Sequence, residues 1–324
     1  MTFDFGAHVT SALFEADGRA VFALGDGQVR WESGEARTAH AGAALCAGRH
    51  PTAEGVITGG DDGRVVWSHP GGAETLAEAK GRWIDCLAVR PGASVLAFGA
   101  GREARVIDLA DSKFARAFAH ERSVADVALD AKARRLAVAT YGGAALWYAR
   151  IADQQPMMLR WAGSHIGAAF SPDGRFLVSS MQENALHGWR LSDARDMRMG
   201  GYPAKVRSLV FLGGGRMLAT SGANGVVIWP FAGADGPMGK QAMEIGFDQS
   251  ALVTRVAADT AGDILAAGLG DGRVWVCNTA SGERAEVKTE QGPPISALAL
   301  SGRRIAWGDE EGGAGVAEVP AGVG

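Results

Sequence analysis

Nine residues, GGDDGRVVW (Gly59–Trp67), combine a glycine pair, two aspartates, a third glycine and a short apolar run that ends in tryptophan. A glycine-rich loop of this kind can hold phosphate when a helix follows it. An Asp-Gly pair between two strands instead forms a tight hairpin turn, because glycine accepts the positive φ that the turn needs. The run after Gly63 is short and rich in valine, which predicts a strand and therefore a hairpin.

The same pattern recurs along the chain, which is the signature of a repeat protein. Eight copies lie about 40 residues apart. Three further copies are clear: GDGQVRW (Gly25–Trp31), GANGVVIW (Gly222–Trp229) and GLGDGRVWV (Gly268–Val276). They predict hairpin turns at Asp26-Gly27, Asn224-Gly225 and Asp271-Gly272. Four are weaker: GREARVID (Gly101–Asp108), YGGAALW (Tyr141–Trp147), QENALHGW (Gln182–Trp189) and GDEEGGAGVAEV (Gly308–Val319). Most follow two short apolar segments and precede a polar one, so each repeat predicts four strands.

Four-stranded repeats of this length predict an all-β protein, a single closed β-propeller over residues 1–324. The repeats begin near residues 8, 40, 83, 120, 165, 205, 251 and 294, which predicts eight blades. Seven is the alternative, if one weak repeat, above all the third, does not form its own blade. The last repeat lacks a fourth segment, whereas Met1–Gly6 belongs to no repeat. We therefore expect the N-terminal segment to complete the last blade.

Several of these residues resemble those of the WD-repeat β-propeller family, in degenerate form. They are SPDG (Ser171–Gly174), the Asp-Gly turns, the tryptophans that end third segments, and the histidines that precede first segments, His8, His40 and His165. The resemblance implies a hydrogen-bonded tetrad of His, Ser or Thr, Asp and Trp. It is expected only in the second repeat, as His40, Thr58, Asp61 and Trp67. Trp31 stands five residues after Asp26, whereas the family's usual spacing is six, so its ring is expected in the core between blades.

Composition excludes several classes of function. The chain of 324 residues is 47% hydrophobic with a net charge of −4, which fits a folded domain without general attraction to nucleic acid or anionic lipid. No signal peptide and no membrane-length apolar run is apparent, and the three cysteines are far apart in sequence. We expect a cytoplasmic protein with reduced thiols and no nucleic-acid or membrane partner.

The residues with catalytic chemistry form no recognisable motif. The histidines lack metal-ligand spacing, the adjacent acids fall in turns, and no nucleophile elbow occurs. We expect no catalytic residues, no cofactor and no metal site, and hence no enzyme. The alternative is a small-ligand sensor or enzyme with a site at the central channel, where first strands would place Asp126 and Arg255.

The function predicted is that of a non-catalytic scaffold for protein–protein interaction, acting as a monomer through its loops. Exposed aromatic and arginine side chains dominate binding energy at such surfaces. The predicted partner-binding residues are Arg82, Trp83, Arg122, Tyr141, Tyr202 and Lys205. For Trp83 and Tyr202, packing against the channel mouth or a neighbouring blade remains an alternative.

Overall fold

A computed structural model describes residues 1–323, which form thirty β-strands and one 3₁₀ turn, Gly213–Gly215. The strands are β1 (Thr2–Asp4), β2 (Val9–Phe14), β3 (Ala20–Leu24), β4 (Gln28–Trp31), β5 (Ala36–Thr38), β6 (Ala44–Arg49), β7 (Val56–Gly60), β8 (Arg64–His69), β9 (Gly72–Glu78), β10 (Leu87–Val89), β11 (Val95–Ala100), β12 (Glu103–Asp108), β13 (Asp111–Ala119), β14 (Asp126–Leu129), β15 (Arg135–Tyr148), β16 (Met157–Phe170), β17 (Phe176–Met181), β18 (Leu186–Arg190), β19 (Arg195–Met199), β20 (Leu209–Leu212), β21 (Met217–Thr220), β22 (Val226–Pro230), β23 (Met243–Ile245), β24 (Val253–Ala258), β25 (Ile264–Leu269), β26 (Val274–Asn278), β27 (Arg284–Lys288), β28 (Ile295–Ser301), β29 (Arg304–Asp309) and β30 (Gly313–Glu318).

Consecutive strands pair into small sheets, in the order that the sequence repeats predict. Five sheets have four strands in chain order: β2–β5, β6–β9, β10–β13, β20–β23 and β24–β27. A sixth combines β28, β29 and β30 with β1, and the last contains β14 to β19. Such a succession of four-stranded meanders is a β-propeller, and the prediction of an all-β propeller is confirmed.

The structure has seven hydrogen-bonded sheets where the main prediction was eight. The difference arises in the fourth and fifth repeats, whose strands belong to one six-stranded sheet. β15 and β16 are 14 residues long, and β16 pairs with β15 through Met157–Ser164 and with β17 through His165–Phe170. β15 also reverses direction, because the amide of Ala149 donates to the carbonyl of Arg134 at 2.9 Å.

The N-terminal strand belongs to the same sheet as the last three strands. Thr2 lies opposite Gly315 and Asp4 opposite Gly313 in antiparallel register, and the terminal ammonium donates to the carbonyl of Val316 at 2.8 Å. Phe3 and Phe5 stack on each other and contact Phe22. This pairing is the one expected for Met1–Gly6, and it covers an edge of β30 that would otherwise be open.

The Asp-Gly hairpin turns are formed as predicted. The φ angles of Gly27, Gly63 and Gly272 are +83°, +79° and +85°, values that favour glycine. Gly225 does not have a positive φ, and in that turn Gly222 takes the left-handed conformation at +94°. The prediction of a positive φ at Gly225 is therefore wrong, because the residue with the left-handed conformation is Gly222, three positions earlier.

Contacts divide the chain into two compact units. The first contains residues 1–25, 30–34 and 201 onward, and its core includes the fully buried Trp31 and Trp275. The second contains residues 26–29 and 35–200, and in its core Phe118 stacks on Trp147 at 4.7 Å. The core position expected for Trp31 is confirmed, and its indole donates to the buried carboxylate of Glu15.

Candidate functional site

A polar depression lies in the second compact unit, where β9 ends and β12 begins. It encloses about 550 Å³ between the loop that leads to β10 and the turn between β11 and β12. We call it the Arg82 depression, defined by the charged residues Glu78, Lys80, Arg82, Arg102, Glu103 and Arg105. Four of these six side chains are cationic, so the depression is a place where acidic groups would be attracted.

The balance of charge in the Arg82 depression is positive. Arg105 forms an ion pair with Glu103, with Nη2 2.8 Å from Oε2. Lys80, Arg82 and Arg102 are exposed, and none of them forms an ion pair among residues 1–323. A guanidinium presents a planar fork of donors that matches a carboxylate or a phosphate, so these side chains are suited to an acidic ligand.

The residues of the opening stretch hold this loop in place. The carbonyl of Gly63 accepts the amide of Ala79 at 2.7 Å, and the carbonyl of Gly60 accepts the amide of Ile84 at 3.0 Å. Ile84 is fully buried, which anchors the end of the loop in the core. Lys80–Trp83 is thus tied at both ends to the Asp-Gly turn, and its side chains project from a fixed backbone.

Trp83 projects from this anchored loop into solvent, with 66% of its surface exposed. An indole of this exposure offers a large apolar surface, and Trp83 directly follows Arg82, which lines the depression. The alternative in which Trp83 packs against a neighbouring blade is excluded by this exposure. Trp83 and Arg82 occupy the loop positions that the sequence analysis predicted.

Two other predicted residues are also exposed on loops of the second unit. Arg122 lies in the loop after β13, which is tied to the turn beside the depression because the amide of Val124 donates to the carbonyl of Gly101 at 2.8 Å. Tyr141 is 63% exposed at the bend of β15. Both are available to a partner.

Tyr202 was predicted to be a surface residue, and that prediction is wrong. Its side chain is buried, and its hydroxyl lies 2.7 Å from Oγ1 of Thr220 and accepts the indole N–H of Trp229 at 2.6 Å. Burial raises the pKa of this phenol to about 12. Lys205, the sixth predicted residue, is half-buried, and like Tyr202 it lies in the first compact unit.

The tetrad expected in the second repeat is formed in part and with a different acid. His40 contacts Oγ1 of Thr58 through Nε2 at 2.8 Å, and through Nδ1 it contacts Asp62 at 3.0 Å. The prediction of Asp61 is wrong, because the carboxylate beside the imidazole is that of Asp62 at the turn. Trp67 does not join the group, because its indole donates to the carbonyl of Glu54 at 2.8 Å.

The contact of a polar ring with a strand hydroxyl recurs in two other repeats. Nδ1 of His165 lies 2.6 Å from Oγ of Ser179, and Tyr202 makes the corresponding contact with Thr220. Sequence analysis missed these pairs, although the signal was present. In each pair a hydroxyl residue in a second strand follows the ring by 14 to 18 residues.

Polar side chains on or next to the first strands of three repeats bond to the backbone of the first strand in the following repeat. Oδ2 of Asp126 accepts the amide of Ala168 at 2.7 Å, and burial raises the pKa of Asp126 to about 7. In the first unit, Nε of Arg255 donates to the carbonyl of Ser296 at 2.6 Å. Ser208 of the same unit bonds the backbone of β24. The two charged residues of the channel-site alternative are thus engaged in structural hydrogen bonds.

The three cysteines lie in or next to strands and are not paired with one another. Cys46, Cys86 and Cys277 are free thiols, and burial raises the pKa of each. Among residues 1–323, no three His, Cys, Asp or Glu side chains are arranged to hold a metal ion. That same part of the chain has no helix long and apolar enough to cross a membrane.

Comparison with known proteins supports the fold alone. No protein-family model matches the sequence, and a search of curated proteins finds no match. Among solved structures, the chain resembles the computationally designed Ika8 protein, whose crystal structure superposes with a TM-score of 0.78. The two sequences are 18% identical, and the alignment covers 97% of each chain.

Proposed function

We propose that the protein is a non-catalytic scaffold of the WD-repeat type that binds a partner protein at the Arg82 depression and Trp83. The observation that carries the proposal is the combination of three unpaired cations with an exposed indole on one anchored loop system. Arginine and tryptophan are enriched among the few side chains that dominate binding energy at protein interfaces. Holding them on a fixed backbone reduces the entropy lost on binding.

The chemistry of the site defines the partner segment. Lys80, Arg82 and Arg102 would bind carboxylates of an acidic segment, and Trp83 would cover an apolar side chain next to them. Arg122 and Tyr141 would extend the contact on neighbouring loops. The bonds that Asp126 and Arg255 make to backbone groups favour this interaction role over a small-ligand site on the first strands.

We also propose that the chain contains eight blades, acts as a monomer and works in the cytoplasm. The reversal of β15 supports the count, because its two arms supply the second and third strands of the fourth repeat. β16 would then supply the outer strand of that repeat and the first strand of the next. On this interpretation the six-stranded sheet is two four-stranded blades that share continuous strands.

Site-specific photocrosslinking tests the binding site. A photoreactive benzoylphenylalanine replaces Trp83 in one variant and Phe247 in a matched control, since Phe247 is an exposed aromatic of the first compact unit. Both variants are irradiated in lysate of the source cells. We expect position 83 to capture a protein that position 247 does not.

The captured protein is then purified and titrated against the wild type and against an Arg82→Ser, Arg102→Ser double variant. Loss of both guanidinium groups should weaken binding about tenfold or more, since each makes a charge-assisted contact at the interface. Equal capture from positions 83 and 247, or equal affinity of the two proteins, would show that the partner does not bind at the Arg82 depression.

A further inference from the structure

A second groove lies at the other end of β11 from the Arg82 depression. It encloses about 540 Å³ between the turn before β11, the turn before β15 and the loop after β15. Its lining includes Ser94, Lys132, Arg134, Tyr148, Arg150 and Ile151. We call it the Tyr148 groove. It shares no lining residue with the Arg82 depression, so it is a separate feature of the second compact unit.

The apolar side chains of the Tyr148 groove are exposed although their loop is held firmly. Tyr148 is 56% exposed and Ile151 is 49% exposed. The amide side chain of Gln154 clips this loop: its Oε1 accepts the amide of Tyr148 at 2.9 Å, and its Nε2 donates to the carbonyls of Tyr148 and Ile151 at 2.7 Å each. The side chains of Tyr148 and Ile151 are therefore exposed to solvent on a backbone that hydrogen bonds already hold in place.

Further apolar surface continues from the groove along the edge of the sheet. Met157 begins β16, lies opposite Leu146 in the register and is exposed. Since side chains two residues apart share a face of a strand, Tyr148 and Leu146 point to the same side of the sheet. Methionine adapts its shape to different apolar partners, which suits a surface that receives another chain.

The unpaired charges around the groove are positive, which favours an acidic ligand. Asp108 pairs with Arg150 and Asp130 pairs with Arg135, so both acids are neutralised. Lys132 and Arg134 are exposed and form no ion pair among residues 1–323. Asp153 of the clipped loop is exposed but does not line the groove.

We propose that the Tyr148 groove binds an acidic segment of a partner protein that inserts apolar side chains against Tyr148 and Ile151. Carboxylates of that segment would pair with Lys132 and Arg134, and its apolar side chains would occupy the cavity. The two sites lie at opposite ends of β11, so the protein could hold two acidic segments at once. This proposal depends on the contacts of the Tyr148 groove and is independent of binding at the Arg82 depression.

A display library of random peptides tests the proposal. Peptides are selected on the full-length wild type after depletion on a Tyr148→Ser, Ile151→Ser variant, whose altered side chains are exposed and whose folding is checked by circular dichroism. We expect the enriched peptides to combine aspartate or glutamate with bulky apolar residues. A selected peptide should bind the depletion variant about tenfold or more weakly, because two apolar anchors are lost.

Three further variants separate the contributions. A Lys132→Ser, Arg134→Ser variant should bind the peptide more weakly than the wild type does, and most of the salt dependence of the affinity should be lost. A Gln154→Ala variant should bind the peptide more weakly, although the charge of the groove is unchanged. A Trp83→Ala variant should bind the peptide with the affinity of the wild type. Enrichment of basic or uncharged peptides, equal binding to the depletion variant, or dimerisation of the wild type through the groove in sedimentation would overturn the proposal.

Discussion

Protonation of His187 should limit the stability of the protein in mild acid. The imidazole is fully buried and stacks on Trp161 with ring centroids 3.9 Å apart. Neither ring nitrogen has a hydrogen-bond partner among residues 1–323, and the nearest carboxylate, that of the half-exposed Asp196, lies 3.4 Å from Nε2. Burial therefore lowers the pKa of His187 to about 4.

The magnitude follows from the two pKa values. Above about pH 7.5 the imidazole is almost entirely neutral in both the folded and the unfolded chain, so it makes no pH-dependent contribution. As the pH falls from 6.5 towards 4, the unfolded chain takes up a proton that the folded chain does not. At about pH 4.5 this difference should lower the free energy of unfolding by about 2 to 3 kcal/mol.

The assay compares the wild type with a His187→Phe variant, in which an aromatic ring still stacks on Trp161 but cannot take up a proton. Urea denaturation at about pH 7.5 and about pH 4.5 gives the free energy of unfolding of each. The advantage of the variant over the wild type should grow by about 2 to 3 kcal/mol between these pH values. A difference between the two proteins that is the same at both pH values would refute the reasoning.

Three other changes test the packing and the turns. Deleting Met1–Gly6 removes β1 and the aromatic contacts with Phe22, so the melting temperature should fall by several degrees; an unchanged value would contradict the pairing of β1 with β30. In a Gly63→Val variant the new Cβ would lie 2.5 Å from the carbonyl oxygen of Ala79 at a φ of +79°, which should cost about 1 to 3 kcal/mol in urea titration. A Gly34→Val control, which has a positive φ but no close neighbour, should lose less, and equal losses would exclude the collision as the cause. Asp126 has a raised pKa of about 7, so its stabilising effect is lost as the pH rises from about 4 through 7; an Asp126→Asn variant should melt higher than the wild type at about pH 8.5 but not at about pH 4, and a shift that is the same at both would contradict this.

Much of the fold could be predicted from the sequence because its signals are local. Asp-Gly pairs at Gly27, Gly63 and Gly272 form hairpin turns with positive φ wherever strands flank them. Repetition of this pattern about every 40 residues predicts a succession of four-stranded sheets. The exposed loop that carries Arg82 and Trp83 could also be predicted from the sequence, since it lies between a polar outer strand and the next apolar first strand.

Other features depend on contacts between residues that are distant in sequence. The sequence pattern placed Tyr202 in an exposed loop, but its hydroxyl is buried because Thr220 and Trp229 supply partners for it. A shift of one residue in the turn brings Asp62 to His40 in place of Asp61. The joining of two repeats into one sheet depends on β16, which runs without a break from its pairing with β15 into its pairing with β17, and no local turn signal marked this continuity.

The candidate sites also depend partly on local sequence and partly on tertiary contacts. Composition and turn patterns predicted which loops carry arginine and aromatic residues, but not which cations remain unpaired. Arg105 is neutralised by Glu103, whereas Lys80 and Arg82 from one loop and Arg102 from another line the same depression. In the Tyr148 groove, Gln154 holds the backbone of the loop on which Tyr148 and Ile151 are exposed. Local sequence determines where the chain turns, whereas the partners of each side chain depend on which loops the packed sheets bring together, and only the tertiary structure decides that.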